Sequence, residues 1–84
     1  MTKATRFIRE AAERTRNSGV TVEWDSAFST VAIDAQGEDG VFMQDDEADS
    51  FIEEMRKLCK RYPSLDEYTA ALALAEPYAE VLFN

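Results

Sequence analysis

The residues best suited to chemistry in this chain are carboxylates, and they are concentrated in one segment. From Asn17 to Met55 the sequence has no lysine or arginine and carries eleven acidic residues: Glu23, Asp25, Asp34, Glu38, Asp39, Asp45, Asp46, Glu47, Asp49, Glu53 and Glu54. Paired carboxylates can hydrolyse glycosides, but such a pair needs a cleft and a raised pKa. These residues fall on predicted loops and helix surface, so we expect no catalytic residue and no enzyme.

Other residue types offer little for catalysis or metal binding. The chain has no histidine, which is the commonest general base and a common zinc ligand. Four residues follow the spacing of a calcium-binding loop: Asp34, Gln36, Glu38 and Asp45. Asp39 stands where that loop requires glycine, and strands rather than helices are predicted on either side. The single cysteine, Cys59, is expected to be inert packing. We therefore expect no metal and no cofactor.

Length and charge indicate a small acidic domain. The 84 residues suit one domain, 45% of them are hydrophobic, and the formal net charge is −8. The charge is uneven: residues 1–19 have five basic and two acidic residues, and the remainder has four basic and fifteen acidic. We find no secretion signal and no run near the roughly twenty apolar residues of a membrane span. We expect a cytoplasmic protein, of a bacterium or of something that replicates inside one.

Hydrophobic periodicity predicts the elements that carry the carboxylates. Residues 3–17 predict an amphipathic helix with one apolar stripe, formed by Ala4, Phe7, Ile8, Ala11, Ala12 and Thr15. The spacing then changes to alternation, which predicts strands over 20–25, 28–35 and 41–44. A turn at Ser26-Ala27 and a hairpin loop over 36–40, with glycines supplying positive φ, would join them as an antiparallel meander.

Two further helices are predicted after the meander. The second, capped by Asp45 or Asp46, has an apolar stripe formed by Ala48, Phe51, Ile52, Met55, Leu58, Cys59 and Tyr62. Pro63 ends it, and Ser64 with Glu67 indicates a capping box that opens the third helix. The third helix would bury Leu65, Tyr68, Leu72 and Ala75. Pro77 would interrupt it or open a short terminal turn. The tail over 78–83 is expected to fold back on the core, or else to form a dimer surface.

The predicted fold class is α+β, a single domain over residues 1–84 in the order helix, three-stranded antiparallel meander, helix, helix. The first helix, the inward strand faces and the two later helices would supply the core. Its expected members are Phe7, Ile8, Val22, Trp24, Val31, Ile33, Phe51, Ile52, Met55, Leu58, Tyr68 and Leu72.

The acidic segment has two interpretations. One is a solvated surface with acids that favour the N-terminal end of a helix dipole. It does not account for the absence of any basic residue from 17 to 55. The other is geometric: Asp46, Asp49 and Glu53 lie away from the apolar stripe, with neighbours roughly 6 Å apart. This is the order of the phosphate spacing along a nucleic-acid strand, and Glu38 with Asp39 at the hairpin tip would extend the row.

The architecture and charge resemble those of the small acidic anti-CRISPR proteins of phages. The segment that carries the resemblance runs from Gly40 to Met55, where a last strand leads directly into an acid-headed amphipathic helix. Some members of that group resemble DNA and block the nucleic-acid-binding site of a Cas effector. The resemblance implies an inhibitor whose partner-binding residues are Glu38, Asp39, Asp45, Asp46, Asp49 and Glu53.

The expected partner is a basic protein. A Cas effector is the first candidate, and another nucleic-acid-binding host protein, such as RNA polymerase or a restriction enzyme, is the second. The alternative is an adaptor or structural module, in which the positive first helix of one copy contacts the acidic remainder of another as a homodimer or larger oligomer. We expect no direct binding to nucleic acid, because residues 20–84 would repel it, and no membrane partner.

Overall fold

Three helices cover one face of a three-stranded antiparallel sheet in the computed structural model. The model describes the backbone of residues 3–36 and 38–83, and the side chains of these residues except 38, 39 and 81–83. The elements are, in chain order, α1 (Lys3–Asn17), β1 (Val20–Asp25), β2 (Thr30–Ala35), β3 (Glu38–Gln44), α2 (Asp45–Arg61) and α3 (Glu67–Phe83). The predicted α+β architecture and its order of elements are confirmed.

The sheet has strand order β1-β2-β3, and its two faces differ sharply in burial. On the inner face Val22 lies opposite Ile33, and Val31 lies opposite Met43. All four are buried, as the alternation of the sequence predicts for a sheet with one covered face. The outer face, which we call the open face, carries Thr21, Glu23, Asp25, Thr30, Ala32, Asp34, Phe42 and Gln44.

Helix α3 occupies the middle of the helix layer. It contacts α1 and α2 as well as β1 and β2. Its buried positions are mostly small, at Ala70, Ala71, Ala75 and Ala79, with Leu72 as the large member. Small side chains allow α1 and α2 to approach from either side. The domain measures 35 × 29 × 15 Å, and the short dimension fits one layer of helices on a sheet.

The buried face of α1 is rotated from the predicted stripe. Thr5, Ala12 and Thr15 are buried, whereas Phe7 is 57% exposed and was wrongly assigned to the core. The hydroxyl of Thr15 donates to the carbonyl of Ala11 at 2.9 Å, so its burial leaves no unpaired donor. Because α1 packs mainly against the small residues of α3, small side chains rather than the large phenylalanine fill the contact.

The rest of the predicted core divides into buried and peripheral residues. The prediction is confirmed for those that the structure buries: Val22, Val31, Ile33, Phe51, Ile52, Met55 and Leu72. Trp24, Leu58 and Ile8 are half-buried. Tyr68 is 37% exposed, so its assignment to the core was wrong. It lies in the first turn of α3, where its ring stacks on that of Trp24 with centroids 6.5 Å apart.

The start of α2 differs from the predicted cap. The N-cap residue is Gln44, and its side chain makes no capping hydrogen bond. Asp45 instead adopts a left-handed backbone conformation with φ of 53°, which aspartate tolerates better than most residues. Its backbone N–H donates to the carbonyl of Ser29 at 2.9 Å. The residue therefore forms the sharp junction between β3 and α2.

The start of α3 is also shifted, because the predicted capping box at Ser64 does not form. Asp66 caps the helix instead: one carboxylate oxygen accepts from the N–H of Thr69 at 3.4 Å, and the other accepts from the Thr69 hydroxyl. Ser64 lies in the preceding turn, where its carbonyl accepts from Nη2 of Arg9 at 2.7 Å. Leu65 is buried just before the helix.

Pro77 does not interrupt α3, which continues to Phe83. Pro77 is exposed, and the residues that follow are held by packing, with Ala79 buried and Tyr78 half-buried against the core. The beginning of the tail therefore folds onto the core as expected. The side chains of 81–83 lie outside the described residues.

The β2–β3 hairpin is tighter than predicted. Strand β3 begins at Glu38, so most of the expected loop belongs to the strand, and Gly37 lies outside the described residues. Gln36 takes the left-handed conformation, with φ of 52°. Gly40 lies within β3, where an added Cβ would fall 1.6 Å from the carbonyl oxygen of Ile33. Gly40 is therefore needed for close approach at a register irregularity, not for a positive φ.

Strand β2 begins at Thr30, two residues later than predicted. Phe28 and Ser29 belong to the turn that joins β1 to β2. Ser29 has a left-handed backbone with φ of 51°, a conformation that does not occur within a regular strand. The longer turn holds Phe28 beyond the end of the sheet.

Candidate partner-binding surface

The predicted row on α2 lies on the solvent side of the helix. Asp46, Asp49 and Glu53 are exposed, and the buried residues Ala48, Phe51, Ile52 and Met55 lie on the other side. The first and last members are seven residues apart, which corresponds to about 10 Å along the helix axis. The helix geometry thus brings these three predicted residues onto one side of α2.

Glu53 is the weakest member of the row, because it has a partner within the helix. Its Oε1 lies 3.2 Å from Nζ of Lys57, which also lies 3.7 Å from Oε1 of Glu54. The hydrogen bond to Glu53, with the nearby charge of Glu54, raises the pKa of the Lys57 ammonium. Asp46 and Asp49 make no ion pair with any described residue, so the unbalanced charge is at the start of α2.

Glu38 and Asp39 are not brought next to the first turn of α2. Their backbone forms the start of β3, and Glu38 lies opposite Ala35. Strand β3 then runs to Gln44 before α2 begins, a distance of about 20 Å at the usual rise per residue. The side chains of Glu38 and Asp39 lie outside the described residues, so their part in the row stays a prediction.

The open face of the sheet adds carboxylates that the sequence interpretation left out of the site. Glu23 and Asp25 are exposed on β1, and Asp34 is half-buried on β2. Between them the central position is Ala32, which lies opposite Glu23 on one side and Phe42 on the other. Phe42 is 60% exposed. The alternation of β1 placed Glu23 and Asp25 on a polar strand face, and this was the available signal for a surface of this kind.

The turn between β1 and β2 joins the open face to α2. Oδ1 of Asp25 accepts hydrogen bonds from the N–H groups of Ala27 and Phe28, at 2.9 and 3.3 Å, and thereby shapes the turn. This turn presents Phe28 with 78% of its surface exposed. At the end of the turn the carbonyl of Ser29 accepts from the N–H of Asp45. The open face and the start of α2 therefore meet at a fixed corner.

We call this combined region the acidic surface. Its members are the exposed acids at the start of α2 and those of the open face: Asp45, Asp46, Glu47, Asp49, Glu23, Asp25 and Asp34. Among the described residues none of the seven makes an ion pair. Because the chain has no cation from 17 to 55, no basic residue of this segment offsets their field.

The basic residues of the helices are largely used within the molecule. Arg14 makes a two-point contact with Glu76, at 2.8 and 3.1 Å, and this contact raises the pKa of the guanidinium. Arg9 binds the carbonyl of Ser64. These two side chains are thus directed toward α3 and the turn before it. The positive helix face expected to contact a second copy is correspondingly reduced.

The described residues offer little to a metal ion or to thiol chemistry. No three acidic or cysteine side chains among them converge on one point. Cys59 is half-buried, and burial raises the pKa of its thiol, with further increases from the charges of Glu67 and Asp66. A raised pKa leaves little of the reactive thiolate at neutral pH.

Comparison with known proteins assigns no family. The chain matches no protein-family model, and no curated protein or solved structure matches it. No described helix has both the length and the apolar content to cross a membrane. Function is therefore inferred from the geometry and charge of the acidic surface.

Proposed function

We propose that this protein is a phage-type inhibitor that binds the basic nucleic-acid-binding groove of a host CRISPR-Cas effector through its acidic surface. The protein would act in the host cytoplasm, where such effectors work. It would compete with nucleic acid by charge imitation and would need no catalytic residue. The choice of a Cas effector rests on the resemblance to small anti-CRISPR proteins.

The observation that supports the proposal most is the lack of ion pairs on the acidic surface among the described residues. Asp46 and Asp49 are exposed on one side of α2 and have no ion pair among the described residues. A fixed row of unpaired carboxylates is complementary to a groove lined with lysine and arginine, and such complementarity speeds association and selects the partner. Glu53 at the end of the row contributes less, because Lys57 already contacts it.

The experiment measures competition for target DNA. A set of Cas effectors loaded with guide RNA would bind a labelled target duplex, and fluorescence anisotropy would follow displacement as this protein is added. We expect at least one effector to lose DNA binding, with an inhibition constant that weakens steeply as salt is raised. RNA polymerase and a restriction enzyme in the same assay separate the Cas assignment from inhibition of another nucleic-acid enzyme.

The chain offers a matched pair of charge reversals. Asp46→Lys with Asp49→Lys reverses two exposed acids three residues apart on α2. Glu10→Lys with Glu13→Lys makes the same change, at the same spacing, on the exposed side of α1. The α2 reversal should weaken inhibition by about 30-fold, or about 2 kcal/mol, and the α1 reversal by less than about threefold. Equal effects of the two reversals, or no displacement of DNA by the unmodified protein, would overturn the proposal.

A further inference from the structure

The aromatic residues of this protein differ in their contacts. Nζ of Lys3 lies 5.8 Å from the centroid of the exposed Phe7 ring, and the Arg61 guanidinium lies 5.7 Å from that of the half-buried Tyr62 just after α2. These are distances at which a cation is attracted to the face of a ring. Phe42 and Phe28 have no such cation among the described residues. Both lie in the segment from 17 to 55, which contains no lysine or arginine.

On the open face the strand register places a small side chain beside Phe42, and we call this position the hollow. Ala32 lies directly between Phe42 on β3 and Glu23 on β1, so the two larger side chains flank a small one. Neighbouring strands are about 4.8 Å apart, which places the Cα atoms of Glu23 and Phe42 about 10 Å from each other. The hollow thus has an apolar floor, an aromatic side and a carboxylate side.

We propose that this hollow is a docking site for an arginine side chain of a partner protein. A guanidinium is planar, stacks on an aromatic face and binds a carboxylate through a pair of N–H groups. Phe42 offers the ring, Glu23 offers the carboxylate and Ala32 leaves room between them. The backbone N–H of Phe28 donates to Asp25, so the turn holds a second exposed aromatic residue at the end of the sheet.

Charge complementarity determines the kind of occupant. Single-stranded RNA also binds aromatic residues on open sheets, but its phosphates would approach Glu23, Asp25 and Asp34, and none of these three acids forms an ion pair with a described cation. A second copy of this chain offers α1, whose exposed side alternates cations with Glu10 and Glu13 and whose Arg14 is bound to Glu76. It also offers the end of α2, where Arg56 contacts Glu67 and Arg61 lies over the ring of Tyr62. A segment of another protein that carries arginine is therefore the occupant that fits this site.

The site is separate from the row of α2 that the charge reversals test, although Glu23 belongs to the acidic surface through which the proposed inhibition would act. The open face alone, three strands wide and six residues long, covers roughly 10 × 20 Å. Stable interfaces bury about 800 Å² on each partner. The arginine site therefore contributes one anchor to a larger contact area, which the neighbouring turn and the start of α2 extend.

The test uses the full chain, labelled with ¹⁵N and titrated with an oligo-arginine peptide or an oligo-lysine peptide of equal length. We expect the arginine peptide to bind about fivefold more tightly. It should shift the amide signals of Glu23, Ala32 and Phe42 more than those of α1. An oligouridylate of similar length is the third probe, and we expect it not to shift these signals.

Two aromatic residues provide the matched variants. Phe42→Ala should weaken arginine-peptide binding by about fivefold and remove the preference over lysine, whereas Phe7→Ala, of nearly equal exposure, should change it by less than about twofold. Phe42→Leu keeps an apolar side chain without the ring and should behave like Phe42→Ala, which guards against a folding defect in the alanine variant.

Four results would overturn the docking site. They are equal affinity for the two peptides, shifts confined to α2, binding of oligouridylate through Phe42, and self-association that shifts the open-face signals without peptide. Loss of Cas inhibition in the α2 charge reversal, with arginine-peptide shifts retained on the open face, is the result that both proposals predict. Arginine-peptide shifts on the open face without any Cas inhibition by the unmodified protein would overturn the proposed function alone.

Discussion

On the side of the molecule formed by α1 and α3, several cations have partners within the chain, whereas on the acidic surface no described carboxylate has an ion-pair partner. Arg14 binds Glu76, Arg9 binds the carbonyl of Ser64, and Lys3 lies over the ring of Phe7. The acids at the start of α2 and on the open face make no ion pair among the described residues. This difference indicates that the acidic surface, more than the side formed by α1 and α3, suits a basic partner.

The two sides also differ in how their helices begin. Asp66 caps α3 with two hydrogen bonds to Thr69, so its charge has a structural use. At α2 the N-cap side chain makes no hydrogen bond, and Asp46 and Glu47 contribute to folding only through their favourable position near the helix dipole. Acids with so small a structural role are available for binding.

The largest expected effect comes from removing the support that both sides share. Leu72 is fully buried on the central helix α3, between the helix layer and the sheet. Leu72→Ala should lower the free energy of unfolding by about 3 kcal/mol, since it loses apolar burial and leaves a cavity. Urea unfolding followed by circular dichroism measures it. Leu74→Ala, at a half-buried position of the same helix, is the control and should cost less than half as much.

A decrease in the free energy of unfolding below about 1 kcal/mol in Leu72→Ala would contradict the assignment of α3 as the shared support. In that case α3 would not be the common support, and the two sides would not form one cooperative unit. A single unfolding transition in the unmodified protein is the accompanying expectation.

The second expected effect concerns the capped end of α3. Asp66→Ala should destabilise the protein by about 1 kcal/mol near neutral pH through loss of the cap. Asp66→Asn keeps an acceptor for Thr69 and removes only the negative charge. Its loss of stability should be smaller than that of Asp66→Ala, because the residue is exposed. Asp46→Asn on α2 removes a comparable charge where no capping bond exists, and should cost only a few tenths of a kcal/mol.

The pH dependence of stability provides a further test of the role of Asp66. The hydrogen bond from the Thr69 hydroxyl, first among several causes, holds the pKa of Asp66 below its usual value. The charged carboxylate therefore adds stability above the unfolded-state pKa of about 3.9, and the contribution is lost as the pH falls through the lower folded value. The difference in the free energy of unfolding between the unmodified protein and Asp66→Asn should be largest at pH 6 and decrease below about pH 4. A difference that grows on acidification would contradict this assignment.

The smallest expected effect is that of the ion pair between Arg14 and Glu76. A double-mutant cycle with Arg14→Ala and Glu76→Ala should give a small favourable coupling, below the loss in Asp66→Ala, because the pair is largely exposed. Added salt should reduce it further. Thermal unfolding of the unmodified protein, the two single variants and the double variant at two salt concentrations measures this coupling. A coupling larger than the loss in Asp66→Ala would mean that paired charges on the helix side dominate its stability.

Much of the fold could be predicted from the sequence, because periodicity determines which strand face is buried. Val22, Val31 and Ile33 follow a period of two, and the structure buries all of them. The rotation of α1 could not be predicted in this way. It depends on the small residues of α3 across the contact, and they favour Thr5 and Ala12 over Phe7.

The candidate site could be predicted only in part. The exposure of Asp46 and Asp49 followed from the apolar stripe of α2, whereas the pairing of Glu53 with Lys57 was missed although their spacing allows it. The role of the open face needed three strands in register, because Glu23, Ala32 and Phe42 become neighbours only in the sheet. The left-handed Asp45 and the turn ending at Ser29 likewise depend on a contact between distant segments.

The most direct test of the central claim compares the local electrostatic potential on the two sides. Amide relaxation would be measured in the ¹⁵N-labelled protein with a cationic nitroxide and with a neutral nitroxide of the same size. We predict severalfold stronger enhancement by the cation at residues 45–50 and at Glu23 and Phe42, and nearly equal enhancement along the exposed side of α1. Equal ratios on both sides would contradict the account, because the acidic surface would then have no unbalanced field to offer a basic partner.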